Sequence, residues 1–175
     1  MAMDDKKDIR DLLIEEMKAV FESNDRRIRH ALEVLDYAEA IAVRECPLGR
    51  EDLWVDFDVV IASAILHDIG INEAERKYGS SAGIYQEKEG PVIAERILKK
   101  VGFPEEKIEH VLKIIANHHS AKDIDTKEFR VIWDADWIVN FNDFYEDLKP
   151  HEKAKKISEI FRTNSGEVLA LNLYV

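Results

Sequence analysis

Apolar residues recur at spacings of three and four along most of the chain, the period of helices rather than strands. Ile9, Leu12, Leu13, Met17, Val20 and Phe21 draw one amphipathic stripe. Ser23, Asn24 and Asp25 follow with stop and N-cap chemistry, which predicts a second helix from about 26 to 44. Its polar line is Arg29, Glu33, Asp36 and Arg44, and Cys46-Pro47-Leu48-Gly49 ends it. Residues 58–66 read DVVIASAIL, with only Ser63 mildly polar inside. A segment apolar on every side is buried on every side. A buried strand is the rival reading, but Ala62 and Ala64 are poor strand residues, so a helix is expected. It runs directly into His67-Asp68-Ile69-Gly70.

Residues 71–90 contain Gly79, Ser80, Ser81, Gly83 and Gly90 and read as a long connection, able to serve as a lid. Pro91 and Pro104 read as first-turn prolines of helices over 91–101 and 104–118, split by Gly102. Further helices are expected near 127–141 and 150–162, the latter opened by Pro150. Asn164-Ser165-Gly166 reads as a turn, and the tail EVLALNLYV is open between a strand, a helix and a subunit contact. There is no internal repeat. The expectation is an all-α, single-domain bundle of six or seven helices over residues 1–175.

Composition narrows the class. The chain has 175 residues, enough for one well-formed core. At 46% hydrophobic it is too apolar for a disordered chain. It carries 36 Asp and Glu against 25 Lys and Arg, a net charge of −11. That balance argues against a nucleic-acid polymer or an anionic membrane as partner. It leaves room for a small phosphorylated metabolite, because a bound metal supplies positive charge locally. No apolar run is long enough to span a membrane, and the charged N-terminus shows no signal segment. Cys46 is the lone cysteine, so no intrachain disulfide is expected and a cytoplasmic setting is the default. A monomer or a homodimer is compatible with all of this.

The chemistry lies in ionisable groups on faces that ought to be buried. His110 and His151 fall on polar positions and read as surface histidines. His30 stacks with Val34, Tyr37 and Ile41 on the inward side of its helix. Alone, it reads as a core histidine with a satisfied hydrogen bond. His67 and Asp68 end the most buried helix, where the imidazole can bond a last-turn carbonyl. His118 follows Ile114 and Ile115 inward, and His119 is ambiguous. Asp136, with Asp134 nearby, sits in the apolar run VIWDADWIVNF, where a carboxylate is costly unless paired or metal-bound. Each position has a structural explanation. Together they place three His and one or two Asp inward, with few inward Lys or Arg, and that asks for a cation. Imidazole with carboxylate suits a divalent transition metal, and helical bundles are a place to build such a site.

The order of these residues resembles the HD superfamily of metal-dependent phosphohydrolases: His30, then His67-Asp68 within ILHDIG, then IIANHHS, then Asp136 within WDADWI. The resemblance spans roughly residues 24–145, with flanking helices at both ends. It implies an all-α HD domain and metal ligation by His30, His67, Asp68 and Asp136. It also implies hydrolysis of a small phosphate ester, a nucleotide among the candidates, with Asp68 and His118 as catalytic residues. One divalent metal is expected, with Mn, Fe, Co, Ni and Zn not distinguished. Two-metal members use a further His in the 71–90 region; this chain offers Gln86, Glu87 and Glu89 there, which weighs against a second metal. His119, Glu87, Glu89, Lys88 and Lys122 are secondary candidates for supporting the site or contacting substrate. The rival readings are a di-iron HD-type oxygenase and a non-catalytic nucleotide-sensing domain that keeps its metal site.

Overall fold

A computed structural model describes residues 8–51 and 54–175 of the chain. The charged stretch at 1–7 lies outside the described residues. Nine helices and no strand occur among the described residues: α1 (Ile9–Phe21), α2 (Asp25–Arg44), α3 (Phe57–Leu66), α4 (Ile71–Tyr78), α5 (Gly83–Val101), α6 (Glu105–Ile115), α7 (Lys127–Tyr145), α8 (Pro150–Ile160) and α9 (Asn164–Tyr174). The all-α expectation holds, and the count of six or seven is too low by two or more. None of these helices is long and apolar enough to cross a membrane.

Helix α3 is the axis of the bundle. Seven of its ten residues are buried, Val59 and Val60 and then 62–66, as its all-round apolarity predicts. Asp56 caps it by accepting from the N–H groups of Asp58 and Val59. Helices α1, α2, α6 and α7 pack around it. On α2 the buried positions Ala31, Val34, Leu35, Ala38, Ile41 and Ala42 follow the 3.6-residue period, and three of the six are alanine. Small side chains let α3 and α7 approach closely, which brings the polar groups of all three helices within reach of one another. Helices α2 and α7 run antiparallel. The last residues of α2 share a cleft with Lys127 and Arg130 at the start of α7, while Asn24 and Arg26 share one with Asp143 and Phe144 at its end.

The 71–90 region corrects the sequence reading. It is not a long connection; α4 and the first two turns of α5 fill it, joined by a short link at 79–82. Helix α4 ends at Gly79 in the left-handed conformation (φ 64°), which glycine adopts without a Cβ clash. Pro91 is not a first-turn proline either, since α5 starts at Gly83 and carries Pro91 in its interior. A proline there removes one helical hydrogen bond, and intrinsic propensity argues against a helix through GIYQEKEGP. Tertiary contacts override it. Gln86 donates to the Ser81 carbonyl at 2.7 Å, while Glu89 accepts from Lys77 at 2.6 Å and from the Tyr78 hydroxyl at 2.8 Å. Tyr78 and Tyr85 stack at 4.3 Å. Gly90 passes against Gly70 so closely that a Cβ on Gly70 would lie 2.6 Å from the Gly90 nitrogen. The two glycines are a backbone crossing, not loop residues.

Residues 164–166 are the first turn of α9 rather than a free turn, with Thr163 as N-cap accepting from Gly166 N–H at 2.9 Å. The tail thus resolves to a helix. It packs on α7 and α8 and bonds the Tyr174 hydroxyl to the Ile138 carbonyl at 2.5 Å.

Candidate metal centre

Four helices aim polar atoms at one point. His67 is the C-cap of α3, with its imidazole buried and Nδ1 2.8 Å from the Ala64 carbonyl. A carbonyl only accepts, so Nδ1 carries the proton and Nε2 faces inward with its lone pair or a second proton. His118, in the turn after α6, repeats the device with Nδ1 2.7 Å from the Ile115 carbonyl. His30 of α2 places Nε2 3.2 Å from His67 Nε2. Asp136 of α7 brings Oδ1 to 3.1 Å from His30 Nε2 and 3.6 Å from His67 Nε2. Asp68 brings Oδ2 to 3.5 and 3.4 Å from the same two nitrogens and Oδ1 to 3.3 Å from His118 Nε2.

The arrangement is electrostatically strained in one direction and relieved in the other. Burial opposes charge on His67, yet the Asp68 and Asp136 carboxylates raise its pKa well above the ordinary value. Burial likewise opposes the charge of both carboxylates, yet the imidazoles hold Asp68 and Asp136 well below the usual range. The group therefore demands a positive charge at its centre. Either a proton on Nε2 or a cation can supply it, and the two compete for the same place. The dimensions fit a metal. Donors about 2.0–2.2 Å from one ion stand roughly 2.8–3.6 Å from one another, for octahedral through tetrahedral geometry. The inward-facing pairs lie at 3.1–3.6 Å. His30, His67 and Asp68 form one group able to hold an ion, and Asp68, His118 and His119 form another.

The Asp134 and Asp136 pair separates cleanly. Asp136 faces the cluster, and Asn140, one turn on, donates to its Oδ1 at 2.8 Å. Asp134 faces away and is fully buried. It accepts from the Arg162 and Thr163 main-chain N–H groups, both at 2.8 Å, and from the Thr163 hydroxyl at 2.7 Å. Burial pushes its carboxyl up to about 6 against those bonds.

The secondary candidates divide as well. Glu87 accepts from the N–H groups of His119 and Ser120, at 3.0 and 2.7 Å, and so shapes the turn that carries His118. The His119 ring lies against Gly83, where a Cβ would overlap it, while the residue keeps an exposed edge. Glu89 is committed to Lys77 and Tyr78. Lys88 is exposed and lies over the Tyr78 ring, 5.3 Å from its centre. Lys122 is exposed. Neither lysine nor Glu89 lines the cavity that opens above the cluster.

That cavity has a volume of about 750 Å³, with His30, Asp68, His118 and Asp136 at its base. Its cations are Arg26, Arg27 and Arg29 of α2, and its apolar wall is Trp133, Trp137 and Phe144 of α7. Sequence reasoning looked for cations near the His-Asp doublet and missed them. The signal was available in helical offsets. Arg26 and Glu33 lie four before and three after His30, and Trp133 and Asn140 lie three before and four after Asp136, whereas Trp137, one after it, carries no such signal.

The HD domain family matches residues 27–141. No curated protein matches the chain significantly. The crystal structure of a predicted HD superfamily hydrolase from an uncultured Thermotogales bacterium superimposes with a TM-score of 0.61. The two are 24% identical over 95% of this chain and 83% of that one, a likeness of fold.

Proposed function

This chain belongs to the HD-domain family, and from that premise we propose that it is a metal-dependent phosphoric ester hydrolase acting on a small phosphorylated metabolite, nucleotides included. The observation that carries the reading is the convergence of His30, His67, Asp68 and Asp136 at the floor of an open cavity. These four residues would hold one divalent metal ion. Such an ion lowers the pKa of bound water and polarises a phosphoryl oxygen.

The protein's own groups supply the rest. The Ala64 and Ile115 carbonyls hold the His67 and His118 rings in one tautomer. Asp68 reaches both sides of the centre through its two oxygens and can orient a water between them. His118 Nε2 stands 3.3 Å from Asp68 Oδ1, where it can contact the phosphate or give a proton to the leaving oxygen. Asn140 fixes the Asp136 carboxylate.

The test pairs elemental analysis with a phosphatase panel on protein loaded with Mn, Co or Ni. Bound metal and release of phosphate from at least one small ester are expected. Metal without turnover on any nucleotide or generic phosphoester would leave a binding domain in place of a hydrolase. The second group, Asp68, His118 and His119, favours keeping a two-ion variant in view. Two irons per chain would turn the reading to oxidative chemistry.

A further inference from the structure

We propose that Arg26, Arg29, Trp137 and Phe144 form a selecting rim above the cluster, tuned to phosphate esters whose leaving group carries a flat π-system. The proposal rests on the phosphohydrolase reading for which end of the ligand faces the cluster. Cavities of about 300–1,000 Å³ enclose a whole small ligand. The 750 Å³ here leaves most of its space to the part of the substrate that does not react.

The α2 wall supplies charge that nothing among the described residues uses. Arg27 is committed to α4, bonding Asn72 and, at 2.6 Å, Glu75. Arg26 and Arg29 are exposed to the cavity and have no hydrogen bond or ion pair among the described residues. Neither guanidinium closes on Glu33 or Asp143, the acids that line the same space. In a chain of net charge −11, two adjacent uncommitted arginines beside a candidate metal centre are the outlier. Arginine's planar fork matches phosphate oxygens. One turn of α2 separates Arg26 from His30, within reach of a phosphoryl group seated at the cluster.

The α7 wall supplies a face of rings. Trp133 is occupied: its Nε1–H donates to the Ile160 carbonyl at 3.1 Å and Arg162 covers its ring at 4.4 Å. Trp137 is more open: its ring lies 6.3 Å from Tyr145 and 6.4 Å from Trp133, but it is only half-buried and its indole N–H has no partner among the described residues. Its ring centre lies 5.6 Å from Phe144 at 52°, and Phe144 is 67% exposed. Because α2 and α7 are antiparallel, the arginines stand opposite the end of α7 that carries these rings. A phosphate ester bridging the two walls puts anion on one and ring on the other.

Uncleavable ligands separate this from turnover. Calorimetry on the metal-loaded protein would compare propylphosphonate, phenylphosphonate and a nucleoside 5′-phosphonate, whose P–C bond does not hydrolyse. Both ring-bearing ligands should bind about tenfold or more tighter than propylphosphonate, as stacking contacts of this kind are worth. Trp137→Leu, which keeps an apolar side chain without a π face, and Phe144→Ala, at an exposed position, should each erode that preference. Arg26→Ala and Arg29→Ala should weaken all three ligands by about tenfold alike, with metal content and melting temperature unchanged. Tighter binding of the nucleoside ligand than of phenylphosphonate would assign the rim to nucleotides, and equal binding to rings in general. Equal binding of propylphosphonate, or a ring preference that survives both α7 variants, overturns the proposal. Ring-selective binding in a protein that cleaves no ester keeps the rim and removes the hydrolase reading; cleavage without ring selectivity does the reverse.

Discussion

Asp134 and Asp136 sit two residues apart on α7, about 200° around the helix, and serve two different regions. Asp134 is sealed at the junction of α8 and α9, where every partner is a hydrogen-bond donor of fixed charge: two main-chain N–H groups and a hydroxyl. None of these donors changes charge near neutral pH, so the carboxylate is a structural clasp. Asp136 keeps 15% of its side chain open to the cavity, and beside the Asn140 amide its partners are imidazoles, whose charge depends on a proton that a cation can replace. Burial alone does not separate a ligand from a clasp. The chemistry of the partners does.

The contrast is sharpest at Asp136→Ala. Removing one carboxylate should lower metal affinity by at least about 100-fold and abolish turnover, while helical circular dichroism and melting persist. His67→Ala should behave alike, and full retention of metal by both would falsify the ligand assignment. Asp134→Ala should do the opposite. It strands two buried N–H groups and a hydroxyl, for a loss of about 2–4 kcal/mol in urea unfolding, with one equivalent of metal still bound. Metal lost in step with stability would erase the distinction between the two acids.

Gly166→Ala probes the clasp from the other side, because a Cβ there overlaps the Asp134 carboxylate. A loss of about 1–3 kcal/mol is expected, again without change in bound metal. The smallest effect belongs to Asn140→Ala. It removes the amide donor to Asp136 and should weaken metal by about tenfold, read by competition with a chelating dye, with unfolding nearly unchanged.

Much of this was legible before folding. Period and caps predicted α1, α2, α3 and α7 to within a few residues, since each buries one regular stripe or, for α3, its whole surface. The inward histidines and Asp136 stood out because a charge on an apolar face needs a partner. The failures have a common cause. The 71–90 segment looked like a loop because its glycines, serines and proline weaken helix locally, yet Gly70 and Gly90 are small so that two backbones can cross. Glu89 reads as a secondary candidate because it falls in the region where two-metal members carry a further His, yet it faces Lys77 and Tyr78. Arg29 reads as part of an ordinary polar line on α2 because the wall opposite it arrives from α7, a hundred residues later.

Which residue types gather at the centre was therefore written into the chain, because helical period and apolar surroundings single out a misplaced charge with no knowledge of its partner. Which cations line the cavity and whether a glycine-rich stretch folds as helix were settled by packing. Each depends on what a second element presents across several ångströms, and local propensity carries no information about that.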